Sequence, residues 1–207
     1  MKTATRSLFL AGLLVATSAA NADWSANLGY ASDYYFRGIF QATSSPSGGL
    51  DYESGGFYAG TWAADVKDGL EVDGYFGYGG EAGDFTYGIG YTGYFYTGDF
   101  DDTYQEVNLS GGFGLVTAEV AIGQYDNFNG PTADYTYYAI TVEKDGFYGK
   151  YAGFSQDFSG DYVELGYGTT IAEIDFGITL LFNDKDLSGT DSSDESLIFT
   201  IGKSFDL

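Results

Sequence analysis

Residues 115–123 read Leu-Val-Thr-Ala-Glu-Val-Ala-Ile-Gly, and the period of that stretch decides the fold. Val116, Ala118, Val120 and Ile122 share one face, and Thr117 and Glu119 take the other. That is the period of two of a β-strand, not the 3.6 of a helix. In 171–182, Ala172, Ile174, Phe176, Ile178, Leu180 and Phe182 oppose Glu173, Asp175 and Thr179. In 84–96, Phe85, Tyr87, Ile89, Tyr91 and Phe95 oppose Asp84, Thr86, Gly88, Gly90 and Thr92. Strands of about ten residues suit a tilted crossing of a bilayer's hydrocarbon core.

The same period places about twelve strands, near 24–42, 47–53, 57–66, 69–79, 84–96, 103–112, 115–124, 134–143, 146–155, 160–168, 171–182 and 194–206. The first reads either as one strand or as two pieces broken near Ser32-Asp33, and the second is weakly patterned. Tight links at Ser54–Gly56, Gly80–Gly83, Gly112–Gly114, Lys144–Gly146 and Gly168–Thr170 alternate with generally longer, more acidic ones. The longer ones are 97–102, 124–133, 155–160 and 183–193. Alternating short turns and long loops, with an even strand count, predict an antiparallel transmembrane β-barrel with both termini at one end. A soluble β-sandwich or lipocalin-like barrel shares the period, but it buries its apolar face and has no use for aromatic girdles.

Composition agrees. The chain's 207 residues suit one domain and include 20 Tyr, 17 Phe, 2 Trp and 32 Gly, but no Cys and no His. So many aromatics belong on a lipid face rather than a water-exposed one. Residues 1–22 read as a signal peptide: Lys2 and Arg6, the apolar run Leu8–Val15, then Ala20-Asn21-Ala22. The expected barrel is therefore 23–207, exported through the periplasm to a bacterial outer membrane. Eight basic residues face thirty acidic ones, and without Lys2 and Arg6 six remain, a balance of −24. A nucleic-acid partner is excluded on charge, whereas cations or a lipopolysaccharide layer fit. Without His or Cys, histidine-based triads, thiol nucleophiles and histidine metal sites are unavailable, so no enzymatic role and no required cofactor are expected.

At 24–41 the chain reads Trp-Ser-Ala-Asn-Leu-Gly-Tyr-Ala-Ser-Asp-Tyr-Tyr-Phe-Arg-Gly-Ile-Phe-Gln. Its core, Ser32 to Gly38, resembles the opening motif of the TorF-type porin family, also called Gcw_chp, of proteobacterial outer-membrane proteins. Residues 54–63, Ser-Gly-Gly-Phe-Tyr-Ala-Gly-Thr-Trp-Ala, resemble its second motif. Glu71, Val72, Asp73 and Tyr75 to Tyr78 follow in similar order. The resemblance is specific over about 24–96 and compositional beyond. It implies an outer-membrane barrel with a porin-like role, and supplies no established ligand or catalytic residue. Leu207, Phe205, Lys203, Ile201, Phe199 and Leu197 resemble the signal read by the barrel-assembly machinery, although the chain ends in Leu and Lys203 interrupts the apolar set. A lysine there is expected to snorkel toward headgroups.

With the apolar parity on lipid, the other parity lines the lumen: Asp33, Arg37, Glu71, Asp73, Glu106, Glu119, Glu143, Glu164, Glu173 and Asp175, with Lys150 the second cation. Such a lining favours cations. Arg37 is the one arginine outside the leader, and is expected to pair with Asp33 or acids on neighbouring strands. It reads either as a constriction-zone cation or as a structural ion pair filling a narrow barrel. Asp184, Asp186, Ser188 and Glu195, with Gly189 at the sixth position, match the spacing of a calcium loop, but the flanks are strands where that loop needs helices. Gly88 to Gly93 matches GxGxxG inside a strand, without the helix that motif serves. The expected function is a porin-like channel for small solutes, favouring cations. The alternative is a closed structural barrel whose acidic extracellular loops bind a partner, calcium or lipopolysaccharide.

Overall fold

The computed structural model describes residues 23–207, so the signal-peptide expectation for 1–22 lies outside the described residues. Twelve strands follow one another: β1 (Asp23–Phe36), β2 (Ile39–Ser54), β3 (Phe57–Asp65), β4 (Leu70–Ala82), β5 (Phe85–Tyr96), β6 (Tyr104–Phe113), β7 (Val116–Tyr125), β8 (Ala133–Lys144), β9 (Phe147–Gln156), β10 (Asp161–Ile171), β11 (Ile174–Asn183) and β12 (Asp194–Asp206). A single helical turn, α1 (Lys185–Ser188), precedes β12. Each strand pairs antiparallel with its neighbours in sequence, and β1 pairs with β12 from Ser25↔Asp206 to Ala31↔Thr200, closing the barrel. Among the described residues no helix is long and apolar enough to cross a membrane. The strands can cross because closure gives every ladder a partner.

The outer face is the apolar parity read from the sequence. Val116, Val120 and Ile122, and likewise Phe85, Ile89 and Phe95, are all exposed outward. At the end carrying the chain termini, Trp24, Phe57, Tyr78, Phe85, Phe113 and Phe147 form an exposed aromatic ring. Several pair across strands, as Phe85 does with Phe113 at 4.7 Å between centroids. Aromatics at this level suit a headgroup boundary. Lys203 also faces outward at this end, and its ammonium reaches Glu173 Oε2 at 3.2 Å.

Two element boundaries differ from the sequence reading, and both matter for the site. β10 does not end at Gly168; it runs to Ile171, and the turn is Ala172-Glu173, both left-handed (φ 51° and 62°). Glu173 is therefore an exposed turn residue on the outer rim, not a lumen carboxylate. The span 24–42 is not one strand. β1 turns at Arg37-Gly38 and returns as β2. Both turn residues have positive φ (50° and 84°), the geometry of the tightest hairpin turns.

The tip of this hairpin leaves the wall. β1 pairs with β12 only as far as Ala31, and β2 pairs with β3 only from Ser47 onward. Beyond those points Asp33↔Thr43, Tyr34↔Ala42, Tyr35↔Phe40 and Phe36↔Ile39 pair with each other. Gln41 is skipped as a bulge, and Ser44 is left-handed (φ 61°). Where the ladder stops, serine hydroxyls take two of the backbone groups beside it. Phe199 N–H donates to Ser32 Oγ at 3.0 Å, and Ser45 Oγ donates to the Asp65 carbonyl at 2.7 Å. The bend reverses the parity, so Tyr34 and Phe36 become buried inside, where simple alternation would set them on lipid.

The outward parity has a depth-dependent consequence. Leu109→Arg, in mid-strand on the outer face, is expected to cost about 2–4 kcal/mol, and Phe113→Arg at the rim about 0–1. Urea unfolding of both variants in lipid vesicles checks this, and equal costs would contradict a membrane-facing surface.

Candidate functional site

The hairpin tip folds into the barrel and meets side chains from nearly every strand. Arg37, at its apex, crosses to Glu106 on β6, on the far side of the ring from β1. The contact is bidentate: Nη1 to Oε2 and Nη2 to Oε1, each 2.6 Å. Three more donors converge on the same carboxylate, namely Tyr94 Oη at 2.8 Å, Asn108 Nδ2 at 2.6 Å and Tyr135 Oη at 2.9 Å. The guanidinium carbon lies 4.1 Å from the centroid of the Tyr137 ring and 5.0 Å from that of Phe36. Tyr137 is tied by its hydroxyl to Tyr162 at 2.9 Å, and the Gly38 carbonyl accepts from Asn183 Nδ2 at 2.6 Å. A planar fork matched by a carboxylate and backed by a ring is the geometry arginine serves better than lysine.

Glu71 on β4 binds the hairpin at a second point. Tyr34 Oη donates to its Oε1 at 2.6 Å, and Tyr96 Oη to its Oε2 at 2.9 Å. Asp73, two residues along the same inner face, is buried, and its Oδ1 has no hydrogen-bond partner among the described residues. Across the ladder it pairs with Trp62 on β3 and Tyr94 on β5. Further from the loop end, Asp51 accepts from Asn27 at 3.1 Å and from Tyr75. Lys150 lies 3.7 Å from Glu164. Glycines let the larger rings lie flat on the wall. A Cβ on Gly123 would stand 2.4 Å from the Tyr135 ring, which it would push off Glu106.

Apolar packing completes the closure at the loop end. Phe36 packs edge-on to Tyr94 at 5.0 Å, and Ile39 joins a cluster with Tyr137, Phe154, Tyr162 and Leu181. Phe158 from the β9–β10 connection and Leu187 from α1 cover this cluster. Glu71 is 0% and Glu106 2% exposed, so packed side chains close both carboxylates off from the surface. The pocket beside Phe36, Gln41, Asp101 and Phe158 holds about 40 Å³, room for a water molecule or two.

The sequence-predicted lumen residues therefore divide. Arg37, Glu71, Asp73 and Glu106 are brought together. Glu164 lies on the inner face with Lys150, and Glu119 is half-buried on the inner face of β7. Asp175 accepts from Thr170 at 2.5 Å near the terminal end, and Glu143 is exposed there. Asp33 sits half-exposed at the hairpin bend, outside the carboxylate network, and Arg37 reaches neither it nor an adjacent strand. Sequence reading missed Asp51 and the inward tyrosines, Tyr34 above all, because its parity is set by the bend.

The side chains at the calcium-loop spacing are engaged in hydrogen bonds within the loop end itself. Asp184 caps α1, accepting from the N–H groups of Asp186 and Leu187, and its other oxygen accepts from Asp161 N–H at 3.0 Å. The hydrogen bond from the Lys185 ammonium holds the Asp186 carboxyl below its usual range. Ser188 Oγ turns to the Ser192 carbonyl, and Glu195 belongs to β12. Among the described residues no three or more His, Cys, Asp or Glu side chains are grouped to hold a metal.

A closed, lipid-faced, twelve-stranded barrel with an ion-paired interior defines the class: this is a transmembrane β-barrel protein. The family model described as a bacterial protein of unknown function (Gcw_chp) matches residues 15–205. The chain belongs to that family. No curated protein matches it. Among solved structures, a chain from work on in-meso crystallization of membrane proteins is 10% identical with a TM-score of 0.61, over 89% of this chain and 84% of that one. OprD of Pseudomonas aeruginosa is 13% identical with a TM-score of 0.46, over 90% of this chain and 65% of its own. OccK2 (OpdF) of the same organism, solved with glucuronate, is 15% identical with a TM-score of 0.43, over 86% and 61%. At 10% identity the likeness to the first of these is one of fold.

Because Asp184 acts as a cap, Asp184→Ala is expected to destabilise the protein by about 0.5–2 kcal/mol. The loss should be equal with and without calcium. Thermal melts in both conditions check this, and stabilisation by calcium in the parent alone would restore the ion-binding loop.

Proposed function

We propose that this protein is a porin-like channel of the bacterial outer membrane, passing small solutes and preferring cations, and that the conformation described is its closed one. The observation that carries the proposal is the hairpin tip. It is ladder-paired only to itself, so it can swing from the lumen without breaking the strand ladders of the wall. Its return path is held by polar contacts, chiefly Arg37 with Glu106 and Tyr34 with Glu71. The loop end then faces outward and the short-turn end faces the periplasm. The protein acts without catalysis in this reading.

Cation preference follows from the lining. Glu71, Asp73, Glu106, Asp51 and Glu164 are buried in the lumen wall against Arg37 and Lys150. An acidic constriction concentrates cations and repels anions. The second reading, a closed structural barrel, is favoured by the complete burial of Glu71 and Glu106.

Planar-bilayer recordings separate the two. The parent is expected to open rarely. In Arg37→Ala, Glu106 is left buried without its counter-charge, a loss of about 3–5 kcal/mol in the closed form. That corresponds to roughly two to four orders of magnitude in the open-to-closed ratio. Openings should become frequent, with a reversal potential in a potassium chloride gradient that marks cations as the carriers. Silence from both folded proteins would leave the structural barrel, and anion selectivity would remove the charge argument while keeping the pore.

A further inference from the structure

Arg37 occupies its surroundings as a ligand occupies a binding site. Its guanidinium is anchored to one carboxylate by both Nη atoms, and that carboxylate is held by three further donors on β5, β6 and β8. The face of Tyr137 lies against it. All of these partners belong to the barrel wall and stay in place when the hairpin withdraws, because none depends on the tip for its ladder pairing. The tip itself has no such commitment to the wall.

The charges near the box do not balance. Glu106 has Arg37, but buried Glu71 has, among the described residues, the hydroxyl donors Tyr34 and Tyr96 and no cation paired with it. Buried Asp73 has an oxygen with no hydrogen-bond partner among the described residues, beside Trp62 and Tyr94 in the ladder. An unpaired acceptor in such a place is costly unless something supplies a donor. The barrel therefore presents a carboxylate–aromatic box for a guanidinium, with a second acidic group nearby for another cationic or donor group. Aromatic faces and carboxylates together are the recognition chemistry of organic cations.

We infer that the Glu106–Tyr137 box is a binding site for small guanidinium-bearing solutes, and that Arg37 fills it as a tethered competitor when no solute is present. A solute that takes the box displaces the hairpin tip, so cargo binding and opening are one event. Affinity measured on the parent is lowered by the fraction of time Arg37 holds the site. This inference rests on the channel reading only for solute access to the lumen.

Isothermal titration of the detergent-folded protein with L-arginine tests it, with L-glutamine as the uncharged comparator and heat-modifiable gel migration as the fold control. Arg37→Ala should bind L-arginine at least about tenfold more tightly than the parent, because the competitor is gone. Glu106→Gln added to Arg37→Ala should weaken binding about thirtyfold or more, since the buried charge partner is lost. If that double variant does not fold, Tyr137→Leu in the same background should weaken it by about tenfold through the lost ring contact. L-Glutamine should give no saturable heat. A folded Arg37→Ala protein that shows no saturable arginine binding overturns the site. So does binding equal to the parent's, or binding that glutamine matches. Bilayer recordings on the same samples keep the two proposals apart. Openings without arginine binding defeat this inference alone, and binding without openings defeats the channel reading alone.

Discussion

Every backbone donor and acceptor in the hydrocarbon layer must find a protein partner, and this chain meets that demand by closing β1 onto β12. An unsatisfied amide there costs several kcal/mol, so the ring of ladders is not negotiable even where side chains are. The strand lengths, the outward apolar parity and the aromatic ring near the termini follow from it. The same demand explains the two serines at the hairpin bend. When β1 and β2 leave the wall, Ser32 and Ser45 take the Phe199 N–H and the Asp65 carbonyl beside the end of the ladder. The inward fold of the tip is thus compatible with an intact barrel.

Closure creates a second problem, the interior. Eight strands enclose a space that side chains fill, and twelve enclose more. Here the surplus is taken by the chain itself. Tyr34, Phe36, Arg37 and Ile39 enter from the hairpin, Phe158 and Leu187 come down from the loops, and tyrosines lie flat over wall glycines. Charges enclosed this way sit where solvent screening is weak, so the pairing of Arg37 with Glu106 is strong and its geometry exacting. The enclosed acids nevertheless outnumber the enclosed cations. An interior both full and charge-deficient is poorly explained as packing alone. It fits the proposed pathway, whose plug shares the chemistry of the solute proposed to pass.

The acidic loops have a plainer role than their charge suggests. Asp101 accepts from Tyr104 and Tyr125, Asp102 from the Phe128 N–H, and Asp157 from the Asp134 N–H. Asp161 accepts from Tyr138, and Asp184 caps α1. These carboxylates organise the connections by local hydrogen bonds to donors that a loop leaves free. Their abundance, which on the bare sequence fits a calcium loop, is here largely the means by which the loop end is ordered over the lumen.

Alternation by itself placed about twelve strands, the outer face and most of the inner one, because a period of two assigns each residue a side as long as the strand stays in the wall. It also placed Glu71, Asp73, Glu106 and Glu164 correctly inside. It failed where backbone conformation departs from the ladder without a marker in the residue type. Ala172-Glu173 turns through two left-handed residues with no glycine, so the sequence drew attention to Gly168 instead. Arg37-Gly38 did carry the signal of a tight turn, a glycine second, but Phe36 and Ile39 continue the apolar texture on both sides. What only the tertiary structure decided is that the bend at 32–44 turns this hairpin inward and sets Arg37 against a carboxylate 69 residues away. Local period carries no information about partners across a lumen. Those are fixed by ring closure, which sets β6 opposite β1, and by the electrostatic cost of leaving a buried guanidinium unpaired.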